Sequence, residues 1–250
     1  MSGHSKWSTI KHKKAAVDAK RGKIFTRLAK EITVAAREGG GGDPEFNNRL
    51  ALAIDRAKAA NMPKDNIERA VKRGTGELEG GELLEMVYEA YAPHGVGMIV
   101  EVVTDNRNRA IADLRHALNK YGGNTAESGA VSWQFTRKGY IAISQEIDED
   151  ELFLIAADAG AEDLQFSDGV AEIYVDLDHF QTVQTALKEA EIKLDEAKMI
   201  YDPNTPMELG QMETVQVMKV IEQVEDLDDV QNVYSALDIT DEAIAEMEMA

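Results

Sequence analysis

The sequence predicts an α+β protein: an N-terminal helical domain followed by two α/β domains, one of them a ferredoxin-like βαββαβ unit inserted in the other. Three observations carry this prediction. Apolar residues recur at spacings of three and four through the first third of the chain. The period shortens toward two after the glycine-rich stretch GTGELEGG. From Gly139 to Tyr201, strand-like and helix-like runs alternate in the order β-α-β-β-α-β. The expected boundaries are 1–77 for the helical domain, 78–137 with 205–243 for a discontinuous α/β domain, and 138–204 for the insertion.

Taken in order, the first helix runs from Lys20 to Arg37. Ile24, Phe25, Leu28, Ile32, Ala35 and Ala36 form its apolar stripe, and Lys20, Lys23, Arg27, Lys30 and Arg37 its opposite face. Gly39 to Gly42 stop it, and Asp43-Pro44 is expected to start the next helix, Asp as N-cap and Pro at the first helical position. Leu50, Ala53, Ile54 and Ala57 would be the buried face there. A third helix follows in MPKDNIERAVKRG, with Pro63 at its start, Asp65 and Glu68 early, Lys72 and Arg73 in its last turn and Gly74 as its stop. LLEMVYEAYAP and GVGMIVEVVT read as two strands around a Pro-His-Gly turn, and NRNRAIADLRHALNKYGG as a helix ended by Gly122. AVSWQF reads as a strand. The insertion then supplies YIAIS, DEDELFLIAADAG, AEDLQF, VAEIYVD, HFQTVQTALKEAE and KLDEAKMIY in turn. A helix around Glu213 to Val224 and the strand VQNVYSAL complete the first sheet.

Charge is divided unevenly along the chain. The formal net charge is -19, yet residues 1–74 carry 17 Lys and Arg against 8 Asp and Glu. Such asymmetry points to a nucleic-acid-facing or membrane-facing segment. With a Debye length of about 8 Å at physiological salt, a polyanion responds to the basic surface near it rather than to the total. There is no apolar run of the ~18 residues that a membrane span needs and no secretory h-region, so the expected location is cytoplasmic, with no membrane partner. With no cysteine, disulfides and thiolate metal sites are excluded.

The densest basic cluster is at the start: Lys6, Lys11, Lys13, Lys14, Lys20, Arg21 and Lys23, with Trp7 and His12 among them. Cationic side chains neutralise phosphates and release counterions, and an aromatic ring stacks on an exposed base. Arg27 and Lys30 continue this face down the first helix, and Lys72 and Arg73 add to it from the third. The competing reading is a solvated terminus whose lysines serve only solubility. A second candidate is TDNRNR, residues 104–109, where a strand ends and a helix begins with Thr104 or Asp105 as expected N-cap. Arg107 and Arg109 fall in its first turn, where positive charge opposes the helix dipole by ~0.3–1 kcal/mol each. They would either complete an anion site with the free N–H groups there or be bridged to Asp105, Asp113 or strand-end acids.

Other motifs dissolve. GGGG lacks a following GK[ST], RGTG lacks the strand of a dinucleotide fingerprint, and the histidines are scattered, so neither a cofactor nor a metal is expected. No serine sits in a G-x-S-x-G setting, and the carboxylates read as solvated faces. An enzyme acting between the α/β domains is therefore disfavoured, and no small-molecule substrate is implied.

GHSKWSTIKHKKAAVDAKRGKIF, NMPKDNIERAVKRGTG, TDNRNR and the GG after the following helix together resemble the YebC family, whose mitochondrial members are translational activators of cytochrome oxidase. These motifs cover about residues 3–138. The resemblance implies a helical domain and two α/β domains, and a probable transcriptional regulatory protein that binds DNA. It also implies an alternative, a ribosome-associated factor that binds ribosomal RNA and eases synthesis through proline-rich stretches. Phosphate contacts position a protein without carrying sequence information, so the basic residues do not choose between these.

Overall fold

The computed structural model describes residues 18–39, 41–79, 81–167, 169–239 and 243. These residues form two compact units, Thr136–Asp202 and the remainder.

The larger unit begins with α1 (Asp18–Glu38), α2 (Asn48–Ala59) and α3 (Lys64–Gly74). Ile32, Ala35 and Ala36 of α1, Leu50, Ala53 and Ala57 of α2, and Ile67 and Ala70 of α3 make one buried cluster, with Phe25, Leu28 and Ile54 packed at its edge. The expected restart at Asp43-Pro44 is corrected: the Asp43 side chain accepts from the Glu45 amide in a turn, and the N-cap of α2 is Asn47. Asn47 is preferred because it satisfies two helix ends at once. Its Oδ1 accepts from the Leu50 amide at 3.0 Å, and its Nδ2 donates to the Ala35 carbonyl of α1 at 2.8 Å. Gly74 is likewise not the stop but the last helical residue, held at the closest approach of α3 to α1. A Cβ there would collide with the Thr33 carbonyl oxygen. The left-handed turn comes two residues later, at Gly76 with φ 81°. Thr33 reinforces the crossing by donating to the carbonyls of Ala29 and Ala70.

β1 (Leu84–Tyr91) and β2 (Gly97–Thr104) form an antiparallel hairpin, Leu84 opposite Thr104 and Tyr91 opposite Gly97. α4 (Arg107–Lys120) ends before Gly122 at φ 86°, and the two-residue β3 (Asn124–Thr125) pairs with β1. After the insertion, α7 (Gln211–Glu225) leads into β8 (Val230–Ser235), giving the strand order β3-β1-β2-β8. Met98, Val100 and Val102 of β2 face Leu114 and Leu118 of α4 and Val217, Met218 and Ile221 of α7 in one core. β2 is central and is buried almost throughout, as its run of β-branched residues requires.

AVSWQF is the strand that does not form as expected. Ser132–Gln134 is a short 3-10 turn, and the strand starts at Phe135. The Glu89 carboxylate accepts from the amides of Gly129 at 2.6 Å, Val131 at 2.5 Å and Ser132 at 2.9 Å. Those amides are thereby withdrawn from any ladder.

The smaller unit contains β4 (Phe135–Ile143), α5 (Glu149–Asp158), β5 (Ala161–Ser167), β6 (Val170–Val175), α6 (Phe180–Glu189) and β7 (Glu196–Pro203). Its order, β5-β6-β4-β7, is the ferredoxin-like arrangement, with the third strand between the first and second. Ile141 opposite Ile173 sits on the apolar face of the sheet. Tyr140 opposite Tyr174 sits on the other, where the Tyr140 hydroxyl donates to Glu172 at 2.9 Å.

Candidate nucleic-acid interface

Two lysines predicted to face a polyanion are tied into the protein. Lys23 Nζ donates to the carbonyl oxygen of Asp226, the residue that caps the C-terminus of α7, at 2.9 Å. Lys30 Nζ donates to the Asp228 carbonyl at 2.9 Å and to Asp229 Oδ1 at 2.7 Å. A cation at a helix C-terminus is favoured by the dipole, so these contacts dock α1 against the end of α7. Arg27 is half-buried, and its Nε makes no hydrogen bond among the described residues. Lys6, Trp7, Lys11, His12, Lys13 and Lys14 lie outside the described residues, as do the side chains of Lys20 and Arg21.

The two arginines of the TDNRNR segment have different roles. Asn106, rather than Thr104 or Asp105, is the N-cap of α4, its side chain accepting from the Arg109 amide at 3.1 Å. Thr104 is already engaged: its hydroxyl bonds Asp229 at 2.9 Å. Arg109 reaches the same carboxylate with Nη2 at 2.8 Å and Nε at 3.2 Å, and Asp105 at 2.9 Å. The pairing expected as the alternative for Arg109 is present, but its main partner is Asp229, 120 residues away. Arg107 stays exposed.

Asp229 is 6% exposed and gathers Lys30, Arg109 and Thr104 on one carboxylate. Burial pushes its carboxyl up, but hydrogen bonds from these three groups outweigh burial and hold it below the usual carboxylate range. Bonds to Asp229 and Asp105 correspondingly raise the Arg109 guanidinium. Both groups are thus held in their charged forms.

Above this clasp lies a groove of about 430 Å³ between α1, α3 and the loops that start α4 and β8. Phe25, Ala29, Met62, Ala70 and Leu83 supply its apolar lining, and Lys30, Asn66, Arg69, Arg73 and Arg109 its polar one. Asn66, Arg69 and Arg73 stand at positions i, i+3 and i+7 of α3 and so share a face. Arg69, Lys72 and Arg73 are exposed and make no ion pair among the described residues. Sequence reasoning selects Lys72 and Arg73 but passes over Arg69 and Asn66, although their spacing is readable. Asp229 has no local signal, since its partners are 120 to 199 residues away.

Other described cations of the helical region meet carboxylates: Arg37 pairs with Glu38, Arg49 with Glu38 and with Glu85 of β1, Arg56 with Glu31, Lys58 with Asp55 and Lys64 with Glu68. Among the described residues, no group of three His, Asp or Glu is placed to hold a metal, and no helix is long and apolar enough to cross a membrane.

A helical module and two four-stranded antiparallel sheets, with cations on α3 that make no ion pair among the described residues beside a carboxylate clasp, define an α+β protein with a cationic groove. The chain belongs to the TACO1/YebC family: residues 5–77 match the model of the family's N-terminal domain, and residues 83–237 that of its second and third domains. It is 51% identical over 247 residues to a probable transcriptional regulatory protein of Desulfatibacillum aliphaticivorans, covering 98% of this chain and all of that one. A protein of the same description from Petrotoga mobilis is 52% identical over 249 residues, covering 99% and 98%. The crystal structure of a conserved hypothetical protein, Aq1575 of Aquifex aeolicus, superposes with a TM-score of 0.83 at 44% identity, covering 91% of this chain and 94% of that one.

Proposed function

We propose that the protein is a nucleic-acid-binding regulator of gene expression, a DNA-binding transcriptional regulator that performs no catalytic step. The observation that carries this reading is the exposed group Arg69, Lys72 and Arg73 on α3, which makes no ion pair among the described residues. It stands in a region whose flanking segment supplies Lys6, Lys11, Lys13, Lys14, Lys20 and Arg21. The regulatory names of the relatives point the same way. Lys30 and Arg109 are excluded from the phosphate-binding set, because releasing them would leave Asp229 buried without counter-charge, and Lys23 is set aside because it is held by the Asp226 carbonyl.

The test is duplex-DNA binding by fluorescence anisotropy across a salt series. Each phosphate that is no longer neutralised flattens the slope of log K against log salt by about 0.9. Neutralising Arg69, Lys72 and Arg73 together flattens it by about 2.7 if all three touch phosphate. Neutralising Lys11, Lys13, Lys14 and Arg27 together abolishes binding. Retained affinity in both variants refutes the basic surface as the site. Co-sedimentation with ribosomes at about 150 mM salt, with DNA binding lost at the same salt, refutes DNA as the partner.

A further inference from the structure

The groove beside α3 distributes its charge in a way that a binding face for duplex phosphates does not require. Of its four cations, Lys30 and Arg109 are committed to Asp229, and Arg109 also to Asp105, so the clasp side is balanced by two carboxylates. Arg69 and Arg73 are not committed to any carboxylate among the described residues and are exposed. An incoming phosphate is therefore drawn to Arg69 and Arg73 and gains little from the clasp. The remaining lining is neutral: the ring of Phe25, the side chains of Met62 and Leu83, and the carboxamide of Asn66, which makes no hydrogen bond among the described residues.

The volume, about 430 Å³, lies at the lower end of the ~300–1,000 Å³ of ligand pockets. It is concave, whereas duplex phosphates lie on a convex surface and keep their bases stacked inside. A carboxamide with one acceptor and two donors reads the edge of an exposed base, and an aromatic ring with apolar neighbours accepts its face. The groove's walls are braced by the α1–α3 crossing at Gly74 and Thr33, so the shape exists before a ligand arrives.

We infer that this groove is a pocket for one unpaired nucleotide of a single strand, its phosphate on Arg69 and Arg73 and its base against Phe25, Met62 and Leu83 with its edge on Asn66. The inference rests on the nucleic-acid-binding reading above and narrows it to single-stranded or locally opened substrate. RNA and DNA share the chemistry named, since nothing in the groove selects a sugar.

The experiment compares the full chain on labelled single-stranded RNA and DNA oligonucleotides of about eight nucleotides with a duplex of the same length. The single strand should bind more tightly than the duplex at matched salt. Asn66→Ala should weaken single-strand binding about tenfold and reduce discrimination among homopolymers, leaving duplex affinity within twofold. Arg69→Ala with Arg73→Ala should weaken it at least as much. Asn66 and the arginines are partly or fully exposed helix positions, and circular dichroism confirms folding. A single-strand affinity that Asn66→Ala leaves unchanged, or a wild type that binds duplex alone, overturns the pocket while leaving the duplex reading intact. A wild type that binds neither overturns both. The RNA and DNA arms show which strand the pocket takes.

Discussion

Replacing Asp229 by Asn tests whether the clasp holds the helical region to the first sheet. The carboxylate receives Lys30 at 2.7 Å, Arg109 at 2.8 Å and Thr104 at 2.9 Å. Hydrogen bonds to a charged group are worth about 1.5–3 kcal/mol each, and removing one partner of a buried pair costs about 3–5 kcal/mol. Arg109 is half-exposed, with its side chain at 48%, so solvent screens much of its share, whereas Lys30 at 16% is poorly solvated. The carboxamide keeps one acceptor but turns an NH₂ toward one of the two cations, Lys30 on the Oδ1 side or Arg109 on the Oδ2 side. The expected loss is therefore about 2–4 kcal/mol, or a fall in the melting temperature of the larger unit of roughly 4–16 °C. Changing Lys30 to Met in the same chain should recover part of it, because the stranded cation is removed. The pH dependence has a definite sign: the folded Asp229 pKa lies below its unfolded value of about 3.9, so its contribution is complete above that value and is lost as pH falls through the folded pKa. D229N should lack this acid limb. Calorimetry and urea titration read both effects. A D229N protein within about 0.5 kcal/mol of wild type at neutral pH would refute the argument, since surface changes fall in that range.

Gly74→Ala places a Cβ against the Thr33 carbonyl and should cost about 1–3 kcal/mol by forcing α1 and α3 apart; an unchanged urea midpoint would contradict the close approach. Arg107→Ala, an exposed position at the start of α4, should leave stability unchanged or slightly raised, in contrast to Arg109→Ala, which breaks the bond to Asp229. Glu89 is raised by burial but lowered overall by three backbone N–H donors. Its hold on the 129–132 loop is present above the ordinary glutamate value of about 4.3 and is lost as pH falls through the lower folded value. Glu89→Gln should speed hydrogen exchange at Gly129, Val131 and Ser132 at neutral pH, and equal rates in both proteins would dismiss the carboxylate's role.

Fold elements are legible where one local pattern decides them. The stripe of Phe25, Leu28, Ile32, Ala35 and Ala36 has only one period, and the βαββαβ order has few ways to pair. Local pattern fails where a distant group captures the backbone. Asp43-Pro44 is a good helix start in isolation, but Asn47 also caps the Ala35 carbonyl, a tertiary gain invisible to capping statistics. AVSWQF has strand composition, yet Glu89, about 40 residues earlier in the chain, binds its amides first. For the candidate site the residue types are readable and their availability is not. Lys30, Arg73 and Arg109 look alike in sequence, and only the fold shows that two of them meet Asp229.

That distinction changes what the charge count of the first 74 residues means. A net positive segment need not present positive charge, because pairing with its own or neighbouring carboxylates removes most of a cation's attraction for a polyanion beyond about 8 Å. Here Lys30, Arg49, Arg56, Lys58 and Lys64 all meet carboxylates, and Lys23 meets a helix end. On α3, Lys64 takes Glu68, while Arg69, Lys72 and Arg73 make no ion pair among the described residues, and Arg69 and Arg73 share their face with the neutral Asn66 and Ala70. Within the described part of the first 74 residues, the exposed cations without a carboxylate or carbonyl partner are thus grouped on one helix beside one groove. Exchanging the charge of Lys58 or Lys64 should then leave nucleic-acid affinity within about twofold, while the same exchange at Arg69 or Arg73 lowers it steeply and flattens the salt slope. Equal losses at all four positions would mean that total charge, not its placement, governs binding.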